Sequence, residues 1–467
     1  MAIYTVVDPV TRIEGHMKID VTIDAVAGVQ QVVDAHASGT LYRGFENLLV
    51  GRDPRDAQHI TERICGVCPV SHAMAAVIAL DQAYRVKIPM NALLMRNLVM
   101  GANFVESHIL HFYLLSALDY MDGPAMRPWL PNWSIDRRFT TDQSNALLTH
   151  YLKAIEMKRK GQEAAAIFGG RMPHPPAFIP GGFTNAPTQD QITLFKSYLT
   201  ELGDFINSSY IPDVELLYQV YGDYSSVGRG YGNLLAYGCF DEDLTAKNKL
   251  FKPGYVNDGS LLPPRVIKPA KINEHVRYSW YNKKYKKLNP MAGFTDPVNP
   301  KVDAYSWMKA PRYSNLPYEV GPLARMWVNG DYKSGISVID RHRARAYEAS
   351  KITQAMVRWI DNVRVGDPVY LKGTTPGTSR VVGLTEAPRG ALGHWVYISG
   401  GKIAKYQIIT PTCWNCSPRD NVGKLGPVEM ALVGTPVQDA EQPVEVMRVI
   451  HSFDPCLDCA VHVMMAK

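Results

Sequence analysis

The sequence has no long hydrophobic run and little excess of charge. No stretch reaches the roughly 18 consecutive apolar residues that a membrane-spanning helix needs, and residues 1–16, MAIYTVVDPVTRIEGH, lack the charged-then-apolar layout of a signal peptide. We therefore expect that the chain neither spans a membrane nor directs its own export, although a partner could carry it. The formal net charge is only +6 in 467 residues, and nothing resembles a nucleic-acid-binding motif.

Low-complexity tracts and internal repeats are also absent, and the composition is typical of a globular protein, with 46% hydrophobic and 20% charged residues. Lysines crowd together only in YNKKYKK (281–287). A solvated surface is the simpler interpretation of this run, and contact with an acidic partner is the alternative.

Hydrophobic periodicity predicts long helices in the first half of the chain. A segment from Pro89 to about Asp122 and another over about 145–168 carry apolar stripes at helical spacing. A third helix is predicted to begin at Thr188, with Gln191 completing a capping box. By contrast, HMKIDVTID (16–24) alternates like a strand, and HWVYISGGKIAKYQIIT (394–410) is typical of a hairpin with a Gly-Gly turn.

We expect one large catalytic domain over residues 1–467. Its predicted fold is mainly α, with a long-helix bundle core, small peripheral β-sheets and a loop-rich excursion. Its expected segments are β-rich 1–62, the helical core 63–220, a loop-and-strand excursion 221–335, and a helix plus a β-rich segment over 336–467.

The seven cysteines are unevenly distributed. Six form three C-x-x-C pairs, Cys65/Cys68, Cys413/Cys416 and Cys456/Cys459, and Cys239 stands alone. Evenly spread disulfide bonds do not give this pattern, whereas thiolates that hold a metal or perform redox chemistry do.

Two of these pairs, at opposite ends of the chain, are followed by a histidine: His72 after the first and His462 after the last. Four converging thiolates suit zinc, iron–sulfur clusters, or nickel and iron centres. A structural zinc site is an alternative, but its cysteine pairs usually lie within about 15–20 residues of each other. A thioredoxin-like dithiol is another, but it explains neither the second pair nor the histidines.

The residues around the cysteines extend this pattern into six ordered motifs. Together they closely resemble the large subunit of nickel–iron hydrogenases over nearly the whole chain: RIEGH (12–16), RGFENLLVGRDPRDA (43–57), RICGVCPVSH (63–72), APRYSNLPYEVGPLARM (310–326), EAPRGALGHW (386–395) and DPCLDCAVH (454–462). The resemblance implies reversible cleavage of H2 at a nickel–iron centre whose iron carries carbon monoxide and cyanide.

The resemblance also assigns the metal ligands. Cys65 and Cys456 would be terminal nickel ligands, and Cys68 and Cys459 would bridge nickel to iron. Family variants with selenocysteine carry it at the position of Cys456, so this chain resembles the ordinary sulfur form.

Further residues match positions of the family that act around the metals. Glu14 matches the first proton-relay carboxylate, with an expected raised pKa. On the residues alone it would be a surface salt-bridge residue. Arg389 matches an arginine over the open metal face, and Asp454 matches the carboxylate that orients it. His72 is expected to donate a hydrogen bond to a bridging sulfur.

A magnesium site is implied as well. Glu46, His462 and the backbone carbonyl of Ile408 match its ligands, and oxygen ligands suit that ion. Thr412 matches a hydroxyl that bonds a cyanide on iron, and His174 matches a histidine near the electron-transfer partner, although a Pro-rich turn explains His174 almost as well.

The chain departs from the family in two places. Relatives commonly read PTTWNASPRD where this chain reads PTCWNCSPRD, which adds Cys413 and Cys416. Two small buried side chains are the simpler interpretation, and a redox-active pair is the alternative. Many relatives also carry Asp, a second partner for the arginine, where this chain has Ser107.

The resemblance implies partners and a location. A maturation protease would cut after His462 and remove VMMAK, and the alternative is that this protein skips the cut. Once the metal site is filled, Cys239, Cys413 and Cys416 are too few to hold a four-iron cluster, so a small iron–sulfur subunit is expected, with a membrane cytochrome as a further candidate partner. The motifs most resemble the respiratory, membrane-associated class, carried to the periplasmic or exported face by the small subunit. A cytoplasmic H2-sensing or cofactor-reducing relative is one alternative. A non-catalytic metal-binding scaffold with a structural four-cysteine zinc site is another. The related subunit of respiratory complex I has lost the four metal-binding cysteines, and their presence here argues against a scaffold of that kind.

Overall fold

A computed structural model describes residues 2–130, 133 and 135–460. The expected magnesium ligand His462 and the expected removable tail 463–467 lie outside these described residues. Helices hold 41% of the residues and strands 20%. The prediction of a mainly α fold is therefore confirmed only in part, since helix predominates but strands are substantial. Among the described residues, none of the helices combines the length and apolarity of a membrane span.

The N-terminal part of the chain begins with a β-sheet. A three-stranded antiparallel sheet has the order β1-β2-β3, and short elements follow it. The elements are β1 Ile3–Val7, β2 Met17–Val26, β3 Val29–Gly39, β4 Tyr42–Arg43, α1 Phe45–Leu48 and α2 Ala57–Thr61.

Long helices form the core that follows. They are α3 Pro69–Ala83, α4 Met90–Leu110, α5 Thr141–Gly169, α6 Gln189–Phe205 and α7 Ile211–Val220, with the small strands β5 Phe178–Ile179 and β6 Gly182–Phe183 between α5 and α6. The predicted capping box is confirmed, because Thr188 Oγ1 accepts from Gln191 N at 3.2 Å and Gln191 Oε1 accepts from Thr188 N at 3.0 Å. Helix α4 is buried along almost its whole length between α5 and a later helix, α9 (Val338–Asn362).

The excursion contains short two-stranded sheets and one α-helix. Its elements are β7 Leu234–Ala236, β8 Cys239–Asp241, β9 Lys249–Phe251, β10 Gly254–Val256, β11 Ile272–His275, β12 Ala310–Tyr313 and α8 Pro322–Asn329. The pairs are β7 with β10, β8 with β9, and β11 with β12, all antiparallel.

The C-terminal part begins with α9 and continues into a sheet and four short helices. The elements are β13 Ser379–Ala387, β14 Gly390–Ser399, β15 Lys402–Ile409, α10 Pro411–Asn415, α11 Pro427–Leu432, α12 Val444–Ser452 and α13 Leu457–Ala460. The predicted hairpin is confirmed as β14–β15, with Gly400 and Gly401 at positive φ in its turn. The third strand, β13, was not predicted. Helix α3 packs against it, which brings the start of α3 next to this sheet.

Candidate metal centre

The first cysteine pair lies where a loop enters α3. Cys65 is extended, Cys68 occupies the N-cap position without a side-chain capping bond, and Pro69 occupies the first helical position. The loop folds over the first sulfur, because the backbone N–H groups of Val67 and Cys68 donate to Cys65 Sγ at 3.2 and 3.4 Å. Local backbone geometry thus fixes the orientation of Cys65.

The second pair is held by a distant strand-like segment. Glu14 and Cys456 form a parallel β-bridge, in which Leu457 N donates to Glu14 O at 2.6 Å and Glu14 N donates to Pro455 O at 3.3 Å. Gly15 has φ +81, and a Cβ there would lie 2.5 Å from Asp458 N. Only glycine therefore permits this close approach.

The four sulfurs converge in the protein interior. Cys65 Sγ lies 3.4 Å from Cys456 Sγ, Cys68 Sγ lies 3.3 Å from Cys459 Sγ, and Cys456 Sγ lies 3.0 Å from Cys459 Sγ. All four lie within 4.8 Å of one another, and all four residues are buried and free of disulfide bonds. The cluster therefore fits a centre held by soft sulfur donors.

Burial opposes ionisation of these thiols and raises the pKa of Cys456 and Cys459 well above the usual range. Burial also opposes ionisation of Cys65, but hydrogen bonds from the other three thiols and the charge of Arg389 outweigh it and hold the pKa of Cys65 well below its usual value. Four adjacent thiolates need bound cations to coexist, so full ionisation is coupled to metal binding.

Arg389 and Asp454 lie beside the cluster as a buried ion pair. Arg389 lies between β13 and β14, is 2% exposed, and places Nη2 2.9 Å from Asp454 Oδ1. The two groups are close enough for an ion pair, but their geometry is not that of a hydrogen bond. None of the guanidinium nitrogens of Arg389 forms a hydrogen bond with a described residue. Burial disfavours its charge, but Asp454 and the cysteines raise the pKa of Arg389 well above the usual value. The positive charge of Arg389 therefore lies near the sulfurs, and its N–H groups are available to donate hydrogen bonds to a bound ligand.

Glu14 is half-buried in the segment that pairs with the second cysteine motif, at Cys456. Burial, followed by the negative charges of Cys65 and Asp458, raises its pKa to about 7. The direction agrees with the expectation from the sequence.

His72 is 1% exposed, and its Nδ1 lies 3.2 Å from His394 Nε2, whose ring in turn places Nδ1 2.8 Å from Tyr406 Oη. The expected bond from His72 to a bridging sulfur stays a prediction.

Two of the three expected magnesium ligands lie together. Glu46 is buried, and its Oε1 accepts from Ile408 N at 2.8 Å, while Thr295 Oγ1 donates to its other oxygen. The ammonium group of Lys309 lies next to Thr295, at 3.3 Å from its Oγ1.

Thr412 is in contact with the second motif. Its Oγ1 accepts from Cys456 N at 2.9 Å, which leaves the hydroxyl hydrogen available to donate elsewhere.

The residues at which the chain departs from the family are buried. Cys413 and Cys416 are free thiols on and just after α10, and burial raises the pKa of Cys413 to about 11. Cys413 Sγ lies 3.5 Å from the carbonyl oxygen of Ala460, close to the second motif. Ser107 Oγ has no hydrogen-bond partner among the described residues. His174 is half-buried and outside the sulfur cluster.

Two arginines that the sequence did not single out hold the site in place. Arg43 donates to the carbonyls of Ile64 at 2.6 Å and Asp458 at 3.2 Å, so it joins both cysteine motifs. Arg325 donates to the carbonyls of Ala387 and Pro388 at 2.9 and 2.8 Å, directly before Arg389. Arg43 lies in the motif 43–57 and Arg325 in the motif 310–326. Their place in these motifs is the sequence feature that could have identified them.

Comparison with known families gives two matches. The nickel-dependent hydrogenase model matches residues 43–128 and 131–462, and a model described as HoxL-like matches residues 5–35. Together the two matches cover nearly the whole chain.

Individual proteins are similar over the same extent. The periplasmic [NiFeSe] hydrogenase large subunit of Desulfomicrobium baculatum is 40% identical, over 99% of this chain and 95% of that one. The hydrogenase-1 large chain of Escherichia coli K12 is 34% identical, over 98% and 95%. The solved Ni-Fe-Se hydrogenase from D. vulgaris Hildenborough superposes with a TM-score of 0.95 at 41% identity, covering 99% of this chain and 100% of that one.

Proposed function

This chain belongs to the nickel-dependent hydrogenase family, and on that premise we propose that it is the catalytic large subunit of a hydrogenase. It acts as one catalytic domain over residues 1–467. The observation that carries the proposal is the buried cluster of four sulfurs from opposite ends of the chain. When bound there, a nickel–iron centre supplies the reversible heterolytic cleavage of H2 into protons and electrons.

The four cysteines would hold this centre. Cys65 and Cys456 would be ligands of nickel alone, and Cys68 and Cys459 would be ligands shared by nickel and iron. Carbon monoxide and cyanide would be the remaining ligands of iron, and Thr412 would donate its hydroxyl hydrogen to a cyanide. Thr412 Oγ1 accepts from Cys456 N, and its hydroxyl hydrogen is not used by that bond, which supports this role.

Glu14 is the group that receives protons from the centre. Its segment is bonded to the backbone on both sides of Cys456, so its position is tied to that ligand. Burial and neighbouring negative charge raise the pKa of Glu14 to about 7, so both protonation states are accessible near neutral pH, which suits a group that alternately takes and releases a proton.

Arg389 and Asp454 shape the face where H2 binds. The guanidinium remains charged beside the sulfurs, and Asp454 orients it. Its undirected N–H groups are available to polarise a small molecule or to bond a ligand of the iron. His72 orients a bridging sulfur by a hydrogen bond, with His394 and Tyr406 fixing its ring.

Glu46, the carbonyl of Ile408 and His462 form a magnesium site. The bond between Glu46 and Ile408 N places two of these residues side by side, which supports the assignment. The nearby ammonium of Lys309 shows that this polar region already accommodates positive charge.

The electrons leave through another chain. The four metal ligands use four of seven cysteines, and the remaining three are too few for a four-cysteine iron–sulfur cluster. A small iron–sulfur subunit therefore completes the enzyme, with His174 near its contact. A maturation protease cuts after His462, and a membrane cytochrome accepts the electrons.

The expected location, at the periplasmic or exported face of a membrane, agrees with the periplasmic enzyme among the relatives. The small subunit carries the chain there.

Metal analysis of the protein purified with its natural partner tests the function. We expect one nickel with iron present, and H2-dependent reduction of a dye. Zinc in a one-to-one ratio without nickel would instead identify a structural site held by the same cysteines.

A further inference from the structure

Two buried polar residues one turn apart on α4 have no role in the mechanism above. Asn103 is fully buried and Glu106 is 1% exposed. Asn103 Nδ2 donates to Glu106 Oε1 at 2.9 Å and to the carbonyl oxygen of Val67 at 2.9 Å. A backbone carbonyl can only accept, so the amide nitrogen must face Val67, and the carboxylate holds it in that orientation.

The peptide that Asn103 contacts also reaches a metal-binding sulfur. The carbonyl of Val67 and the N–H of Cys68 belong to the same peptide group, and this N–H donates to Cys65 Sγ at 3.4 Å. A hydrogen bond accepted by a peptide oxygen makes the N–H of that peptide a stronger donor. Glu106, Asn103 and this peptide therefore form a continuous path to the sulfur.

The opposing helix makes room for this arrangement. Gly161 lies in the interior of α5, where glycine costs about 1 kcal/mol relative to alanine. A Cβ at Gly161 would lie 2.5 Å from Glu106 Cβ. The close approach of α5 to α4 at this point thus depends on a residue that is unfavourable for the helix itself.

We propose that Asn103 and Glu106 are positioning residues that fix the 67–68 peptide and thereby the hydrogen bond that Cys65 Sγ receives. This inference rests on the proposed role of Cys65 as a nickel ligand. A hydrogen bond to a ligating sulfur withdraws electron density from the metal and raises its reduction potential. Glu106 acts through Asn103 and not by contact with the cluster.

The role of Glu106 requires an acceptor oxygen, not a charge. Burial raises the pKa of Glu106 to about 7, so both protonation states are accessible near neutral pH, and both keep an oxygen that accepts from Asn103. Glutamine keeps this oxygen in a side chain of the same shape, whereas methionine fills similar space without one.

The test compares Asn103→Leu, Glu106→Met and Glu106→Gln in the nickel-loaded complex with its natural partner. The readouts are nickel content, the nickel EPR spectrum and the midpoint potential of the nickel redox couple. We expect wild-type nickel content throughout. N103L and E106M should shift the potential to more negative values and alter the spectrum in the same way, while E106Q should match the wild type.

The double variant N103L/E106M tests the path. If Glu106 acts through Asn103, the double variant should shift the potential no further than N103L alone. Nickel-loaded N103L and E106M with wild-type potentials would overturn the inference, and so would E106Q shifting as far as E106M or additive shifts in the double variant. A wild-type protein without nickel would overturn the proposed function itself.

Discussion

Replacing Arg325 with methionine removes the centre of a fully buried charge cluster. Arg325 Nε and Nη2 donate to the two oxygens of Glu348 at 2.5 and 2.7 Å, and Nη1 donates to Glu386 Oε2 at 2.8 Å. The same guanidinium holds the carbonyls of Ala387 and Pro388. None of the three charged side chains is exposed. The substitution therefore leaves two buried carboxylates without their cationic partner. It also removes the hydrogen bonds that hold the turn before Arg389.

Loss of one partner from a buried ion pair costs about 3–5 kcal/mol, because a charge is left uncompensated. Two features reduce the cost here. Burial already raises the pKa of Glu386 to about 7, so this group becomes neutral when Arg325 is removed. His108 Nε2 remains 2.9 Å from Glu348. We therefore expect the lower end, about 3 kcal/mol, which corresponds to a roughly 150-fold change in an opening equilibrium.

Hydrogen–deuterium exchange measures this local opening directly. Peptides that cover residues 385–392 should exchange roughly 150-fold faster in R325M than in the wild type, while peptides from β2 and β3 remain unchanged. Nickel content should be retained, and H2-dependent dye reduction should fall because Arg389 is displaced. In R325K a single ammonium group cannot reach two carboxylates and two carbonyls, so exchange should be intermediate.

The reasoning fails if residues 385–392 of R325M exchange at the wild-type rate. It also fails if exchange rises equally in all peptides, because the effect would then be global loss of stability. Exchange of R325K as fast as that of R325M would show that charge alone, without the fork of donors, has no value at this position.

Three further predictions concern the metal centre. Gly15→Ala places a Cβ against Asp458 N, and the left-handed φ at this position alone costs about 1–2 kcal/mol for alanine. Metal analysis should show loss of nickel, and a full complement of nickel would contradict this prediction. Glu14→Gln should lower H2-dependent dye reduction at least about 100-fold with nickel retained, and wild-type turnover would remove Glu14 from the relay. Because burial raises the pKa of Cys413 and Cys416, their alanine variants should keep full activity. Loss of activity would instead indicate a redox pair.

Local patterns account for the parts of the fold that could be predicted. The capping box at Thr188 and Gln191 involves residues three apart, and the β14–β15 hairpin needs only its Gly-Gly turn and the alternation around it. The strand β13 was not predicted individually, and its interior Gly383 does not favour a strand on local sequence alone. Tertiary packing requires glycine at this position, because a Cβ at Gly383 would lie 2.0 Å from the carbonyl oxygen of Ala75 in α3.

The burial of charged residues is the feature of the site that the sequence does not predict. Charged residues are rarely fully buried, so Glu106 on α4 or Glu348 on α9 would be assigned to an exposed helix face. The charged partners of Glu348 come from other segments, and Glu106 is enclosed where α4 packs against α5. The approximate location of the metal centre could be predicted from the cysteine motifs, but the polar groups behind it could not.

The contrast between these groups has a physical basis in what each side chain recognises. The cysteines recognise a metal, so their spacing is specific and visible. Arg43 joins the two motifs through the carbonyl oxygens of Ile64 and Asp458, and every residue type has such an oxygen. Arg325 and Asn103 likewise bind backbone carbonyls. Contacts of this kind place no demand on the partner's side chain, so they leave no pattern in its sequence, although they decide where the ligands lie.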